Sequence, residues 1–381
     1  MGARTADGPD PLKKALTHSL AFWAILAPLL VLCVAALHGQ FALDFRHAFL
    51  PAARAVLHGM SPYSAVGSPR VVAGTAFLYP PLSAYLLVPF TFLPTTVGEI
   101  LAVALVAAAV PATLWVLGVR DWRCHAIAFL WWPTIIGIGT ANLTLPMLLG
   151  LAIVWRFRNR TIVAGLVTGL VVALKLLYWP LLFWLLATRR FRTAGLAVGA
   201  TLLFVLLPWS GLGFAGLSSY PHLLSSVSRS EGPRNYSVAA LIHAVLPSWT
   251  AATAVETVLG IGIILLVIAF GRRDRDRDAF ALAILATLVL TPLLEMHYLA
   301  ALLVVVALYH RTFSLAWVAP LLIWGAPGSG PGSTIQTVHV LAAVAVVVAV
   351  TLHNRQPRFL ARLLPPGAGA SPVQAGGPLT P

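Results

Sequence analysis

The chain of 381 residues is 59% hydrophobic and only 9% charged, against about 25% charged residues in an ordinary soluble domain. Such a chain cannot cover itself with polar surface in water, so lipid is its main solvent; its apolar runs are continuous rather than alternating, which excludes a barrel and makes helices the spanning element. The net charge of +14, carried mostly by arginine, fits the cytoplasmic loops of a membrane protein and calls for no nucleic acid.

Arg4, Lys13 and Lys14 precede an apolar run over 16–37. It is long enough to span and lacks a small-residue cleavage site, so it reads as a retained first helix. Further apolar stretches fall at 77–94, 97–118, 125–140, 142–156, 161–174, 176–188, 193–209, 250–271, 278–292, 296–310, 312–325 and 336–353, with a weaker, interfacial one at 236–247. Several are shorter than the roughly 17 residues a straight span needs, which suits helices sheltered inside a bundle. Arginine-rich segments at 156–160, 189–192, 271–277 and 354–362 are expected to be cytoplasmic. That puts 38–76, 140–142, the region of Lys175, 210–249, 292–297 and 325–335 on the outer side. Between 76 and 141 the candidate spans are odd in number. Either 77–94, with Pro80, Pro81, Pro89 and Pro94, is re-entrant, or two neighbouring runs merge.

The expected fold is all-α: a polytopic transmembrane bundle of about 12 crossings, with both termini cytoplasmic. Residues 1–362 form one transmembrane domain with outer loops 38–76 and 210–249. The Pro/Gly/Ala-rich segment 363–381 reads as a disordered cytoplasmic tail.

With only eleven acidic residues, each can be weighed. Asp7 and Asp10 lie in the N-terminal tail, Asp121 is flanked by Arg120 and Arg123, and Asp274, Asp276 and Asp278 alternate with arginines as solvated charges. Glu99, Glu231, Glu256, Asp44 and Glu295 remain. Asp44 stands among apolar neighbours just after the first helix. A carboxylate deep in a bilayer costs about 2.5–3.5 kcal/mol, less at its edge. Two readings follow: a helix cap or salt bridge to Arg46, or a general base facing the outer leaflet. The surrounding loop carries Arg46, Arg54 and Arg70 with His38, His47 and His58, where outer loops usually avoid arginine. An anionic ligand such as a lipid phosphate would account for them. Phe49, Ala53, Val56 and Leu57 recur at helical spacing opposite His47, Arg54 and His58, as in an amphipathic helix lying on the membrane. Pro51 should kink it, Gly59 stop it and Ser61-Pro62-Tyr63 turn the chain.

Glu295 and His297 form a second cluster at an outer helix junction, structural or catalytic. Lys175 is a lone ammonium between two short apolar helices, either snorkelling to headgroups or pairing with a phosphate. Tyr220-Pro221-His222 and the stretch from Arg229 to Ser237 supply groups suited to sugar contacts. Trp23, Trp131, Trp132, Trp179, Trp184 and Trp209 read as interface anchors. Asn142-Leu143-Thr144 and Asn235-Tyr236-Ser237 match the glycosylation pattern by chance. Cys33 and Cys124 have no metal-ligand spacing, and no Walker loop, dinucleotide fingerprint or HExxH motif occurs. No cofactor or metal is expected.

Asp44-Phe45, followed by Ala52-Ala53-Arg54-Ala55-Val56-Leu57-His58-Gly59-Met60-Ser61-Pro62-Tyr63, resembles the first-loop signature of glycosyltransferase family 87. Phe77-Leu78-Tyr79-Pro80-Pro81-Leu82 is similar to its next block. Gly139 through Asn142, Ala164-Gly165, Lys175 and Arg189-Arg190 follow its central region, and Leu290-Thr291-Pro292 with His297-Tyr298 its late motif. Gly139-Thr140-Ala141-Asn142 stands where the family often has Gly-Gln-x-Asn, Lys175-Leu176 where it has Lys-Pro, and Leu294-Glu295-Met296-His297 replaces a Ser-Trp-x-His-like stretch. The resemblance implies a GT-C fold in a bacterial plasma membrane and inverting transfer of mannose from a polyprenyl-phosphate-mannose donor to a glycolipid or glycan acceptor. Asp44 would be the base. His297, Lys175, Arg46 and Arg54 would bind the donor phosphate, and Tyr63, Tyr79, Asn142, Asn235, Glu295 and Tyr298 the substrates. The rival reading is a lipid-linked-sugar flippase or transporter. It would need polar residues midway through helices, whereas here the charges gather at helix ends.

Overall fold

The computed structural model describes residues 28–32, 34–36, 39–231, 235–325 and 333–353. Among these residues the chain is all helix and turn, with no strand. Four helices are long and apolar enough to cross a membrane: Thr95–Val116, Phe191–Ser210, Trp249–Arg272 and Thr334–His353. Trp132–Gly139 and Thr144–Arg156 make a fifth if taken as one span, but they meet at 118°. Shorter apolar helices, among them Thr161–Leu174, Leu176–Ala187 and Met296–Tyr309, fill the interior. The described residues therefore hold four or five helices of spanning length, not about twelve. The difference comes from breaks: Pro133, Pro180 and the Asn142, Lys175 and Glu295 junctions divide what hydropathy alone counts as separate spans. The first helix is described only at 28–32 and 34–36, where it is helical. The expected tail, Cys33 and Trp23 lie outside the described residues.

In segment 77–94, Pro81–Leu86 and the 3-10 turn Val88–Phe92 are each far too short to span alone. Helix Leu50–Leu57 buries Leu50, Ala52, Ala53 and Val56 and exposes Arg54, with His58 exposed just after it; Leu57, expected on the apolar face, is exposed instead. The helix packs on the 81–92 pieces. Pro51 sits in the helix's first turn, where its missing N–H removes no bond. The irregularity falls just before it, as a π-helical turn over Phe45–Phe49.

Three of the arginine-rich junctions, at 156–160, 189–192 and 271–277, meet at one end of the bundle; the fourth, at 354–362, lies outside the described residues. Asp276 accepts hydrogen bonds from Arg158 Nε at 2.9 Å, from both Arg190 Nη atoms at 2.8 and 2.9 Å, and from Trp184 Nε1 at 2.8 Å. Asp278 pairs with Arg275 at 2.7 Å and accepts from the Tyr309 hydroxyl at 2.6 Å. Both aspartates are structural rather than solvated charges, and folding brings two distant segments, around Arg158 and Arg190, onto the Asp276 carboxylate. Asp121 pairs with Arg123 at 2.8 Å as expected. Trp131, Trp184 and Trp209 are fully buried, so they are core residues and not interface anchors; Trp131 donates to the Trp317 carbonyl at 3.0 Å, while Trp179 remains exposed.

Candidate active site

Thr161–Leu174 carries Arg160 at one end and Lys175 at the other, about 21 Å apart along a helix of this length. Thr144–Arg156 likewise runs from the Asn142 turn to Arg156, and Asp276–Val289 from the Asp276 hub to the loop that holds Glu295. The junctions without arginine therefore gather at the end of the bundle opposite the arginine cluster. There the structure assembles Asp44, Tyr79, Asn142, Lys175, Glu295, His297 and Tyr298.

Asp44 is held by its own backbone. Ala42 N–H donates to the Gly139 carbonyl at 2.6 Å, and Asp44 N–H and Phe45 N–H both donate to the Thr140 carbonyl, at 3.1 and 3.3 Å. Ala42 and Ala141, one on each side of this contact, both adopt left-handed φ, 52° and 54°, a conformation that a non-glycine residue keeps only when its surroundings enforce it. The approach is close. A Cβ on Gly139 would meet the Ala35 side chain at 2.9 Å, and one on Gly137 would meet Leu145 at 3.0 Å and His297 Cβ at 3.5 Å. Both local readings of Asp44 fail. Its side chain caps no helix, and Arg46 pairs instead with Glu99.

A directional hydrogen-bond chain connects the charged groups. Lys175 Nζ donates to the Tyr79 hydroxyl at 3.4 Å, Tyr79 donates to Asn142 Oδ1 at 3.2 Å, and Asn142 Nδ2 donates to Asp44 Oδ2 at 2.6 Å. The amide orientation is set by its neighbours: Asn142 Oδ1 also accepts from Thr144 N–H at 2.9 Å and Thr144 Oγ1 at 2.8 Å, so three donors on one side turn the NH2 towards Asp44. Lys175 sits 3.2 Å from the centre of the Tyr298 ring and 5.1 Å from that of Tyr79. Among the described residues it forms no ion pair within 4 Å. It is enclosed by aromatic faces rather than snorkelling out.

Burial raises Asp44 above the ordinary carboxylate value, against the pull of the Asn142 hydrogen bond and the Lys175 charge. Burial likewise pushes Glu295 up to about 7, with Asp44 and Glu231 adding to the shift. The Glu295 carboxylate has no hydrogen bond or ion pair among the described residues. His297 Nε2 is buried without a partner, its ring edge-on to Tyr298 at 4.7 Å. Beside Lys175, Tyr79 and Tyr298 opens a cavity of about 280 Å³ whose walls are mostly apolar, including Leu176, Leu177, Trp179, Leu224, Leu290 and Leu293. The site thus sets one cation, Lys175, beside an apolar slot, with the half-buried Asp44 carboxyl a few groups away.

The model of glycosyltransferase family 87 matches residues 77–295, more than half of the chain. The chain belongs to glycosyltransferase family 87. Neither the curated proteins nor the solved structures include a match. The family 87 region takes in Tyr79, Asn142, Lys175 and Glu295; Asp44 lies before it, and His297 and Tyr298 just after it.

Other expected site residues of this glycosyltransferase lie elsewhere. Tyr63 donates its hydroxyl to the Tyr79 carbonyl at 2.9 Å and stacks on Trp209 at 5.7 Å, so it buttresses Tyr79 from behind. Asn235 spends its NH2 on the carbonyls of Glu231 and Pro292, both at 3.3 Å, and its oxygen on Ser237 N–H at 2.8 Å. It holds the loop leading to Glu295. Arg54 projects from the exposed face of its helix. Arg46 is engaged by Glu99 through Nε at 2.6 Å and Nη2 at 2.8 Å. Thr144, Thr140 and Glu99 are the partners that sequence reading missed. For Thr144 a signal existed: Asn-x-Thr and Asn-x-Ser are also the spacing of an Asx turn. Both occurrences, at Asn142 and Asn235, are buried turns opening a helix.

Proposed function

We propose that this family 87 glycosyltransferase is an inverting enzyme of the GT-C type, formed by residues 1–362 as one domain. It moves a mannosyl unit from a polyprenyl-phosphate sugar to a glycolipid or cell-envelope glycan at the outer face of the bacterial plasma membrane. The observation that carries the reading is the pairing of Asp44 with Lys175 through Asn142 and Tyr79, beside an apolar cavity. The prenyl chain enters the cavity and its phosphate meets Lys175, with His297 adding a neutral donor. The acceptor hydroxyl lies against Asp44. Asp44 takes the hydroxyl proton as the oxygen attacks the anomeric carbon, and the bond from that carbon to the phosphate oxygen breaks on the opposite face. The electron pair leaves on the phosphate, where Lys175 receives the developing charge. General-base assistance of this kind supplies about 10²–10⁴-fold.

The gathering of the site at the end opposite the arginine cluster supports an extracytoplasmic face. The short helices broken at Asn142, Lys175 and Glu295 would supply the remaining crossings in pairs. Family membership favours an enzyme over a flippase. Mannose is proposed on the family resemblance. The test is transfer by the purified protein from radiolabelled polyprenyl-phosphate-mannose to a panel of glycolipid acceptors. Label in an acceptor with equimolar release of polyprenyl phosphate is expected. Saturable binding of the donor without transfer to any acceptor would contradict it.

A further inference from the structure

Asp44 lies in a backbone that would not hold itself. Ala42, two residues before it, is left-handed at φ 52°, and the π-helical turn Phe45–Phe49 begins immediately after it. Both are departures that persist only when the surroundings over-determine them. On one side the loop is tied down by the three N–H donations to the Gly139 and Thr140 carbonyls. On the other side Phe49, at the end of the turn, packs on Tyr79 and Phe77 with ring centroids 4.9 and 6.2 Å apart, and Phe45 and Arg46 face the start of Thr95–Val116. Phe45 packs edge-on against Phe90 at 5.4 Å and lies over Gly98, and Arg46 makes its two-pronged bond to Glu99.

Glu99 belongs to the opening turns of the spanning helix Thr95–Val116. Its side chain is only 6% exposed while that of Arg46 is 46% exposed. The buried partner is therefore the acid, and the arginine reaches in from the surface to meet it. The bidentate geometry fixes the guanidinium in orientation as well as distance. It also occupies the prong that a phosphate would use.

We infer that Arg46 and Glu99 are positioning residues: the pair clamps the Asp44 loop onto the end of helix 95–116 and so aims the base, and Arg46 is not a donor-phosphate ligand. The inference rests on Asp44 being the base of the proposed transfer. Without the clamp, the turn after Asp44 can relax into ordinary α-helix and rotate the carboxylate away from Asn142. A displacement of about 1 Å at a reacting group can lower the rate by about a hundredfold.

The test is a mutant cycle of Arg46→Gln, Glu99→Gln and the double variant in the full chain, read by transfer kinetics, with yield and thermal unfolding as folding controls. A clamp lowers kcat in both single variants, by about 10- to 100-fold, leaves the KM for the donor unchanged, and makes the double variant no worse than either single one. Arg46→Lys keeps the charge without the fork and should recover only part of the loss. A raised donor KM confined to Arg46→Gln, with Glu99→Gln neutral, would overturn the inference and return Arg46 to the phosphate. So would turnover within twofold of wild type in Glu99→Gln. If Glu99→Gln does not fold, Glu99→Asp gives the same readout, and failure of both to fold would make the pair purely structural. Asp44→Asn in the same assay separates the two claims: activity in that variant removes the base assignment, whatever the pair does.

Discussion

Lys175 and Asp44 stand at opposite ends of a single hydrogen-bond chain that runs through Tyr79 and Asn142, every donor pointing towards the carboxylate. The last step spans 98 positions of sequence and is also the shortest, at 2.6 Å. A charge-assisted bond of that length orients the acid as well as stabilising it. The chain thus joins the group proposed to receive the leaving phosphate to the group proposed to take the proton.

Asn142→Leu should leave Asp44 without its fixed donor. A hydrogen bond to a charged group contributes about 1.5–3 kcal/mol, so kcat is expected to fall by roughly 10- to 100-fold with the donor KM little changed. Equal kcat in the variant, measured by steady-state transfer, would show that Asn142 does not orient the base.

Lys175→Met should separate stability from activity. A half-buried ammonium without an ion pair gives the folded state little, and methionine of similar shape removes its desolvation cost. Thermal unfolding should be unchanged or shifted upwards, while kcat falls by about 10²–10³-fold through loss of charge stabilisation at the phosphate. A variant that is both less stable and fully active would assign Lys175 to the fold.

The pH profile has a definite sign. A carboxylic acid that has kept its proton cannot accept another, so the rate falls as pH drops through the pKa of the base. Burial raises Asp44 above its ordinary value and holds Glu295 at about 7. The acid limb of kcat/KM, set by Asp44, should therefore lie above the ordinary carboxylate value. Glu295→Gln should keep that limb, since the proposed transfer gives Glu295 no proton to move. A limb at the ordinary carboxylate value in the wild type would contradict the raised pKa of the base.

At the other end, Asp276→Asn removes the charge and one of the two acceptor oxygens shared by Arg158, Arg190 and Trp184. The side chain keeps 24% exposure, which reduces the penalty of a fully buried pair to about 1–3 kcal/mol. Denaturation in detergent should show that loss, while kcat per folded molecule stays at the wild-type value.

The sequence made the helical membrane character legible because hydropathy is a bulk property. It also singled out Asp44, Lys175, Glu295 and His297, because an ionisable group among apolar residues is conspicuous when so few exist. The number of crossings was less legible, because a window of hydropathy cannot tell a straight spanning helix from one broken inside the bundle, as at Trp132–Gly139 and Thr144–Arg156. Arginine roles were the least legible. Arg46 and Arg54 share a loop and a charge, yet Arg46 is committed to an acid 53 positions away and Arg54 is exposed. Asp276 misled for the same reason, since its partners come from other junctions. Local sequence shows that a charge is present; its partner is a property of the fold.

The most direct measurement is single-turnover transfer from labelled polyprenyl-phosphate-mannose by wild type and Asp44→Asn, with donor binding measured on both. Asp44→Asn is predicted to fold, to bind donor with the wild-type affinity, and to transfer at least about a hundredfold more slowly. Transfer at the wild-type rate, with the donor still bound, would contradict the assignment of Asp44 as the base and with it the proposed mechanism.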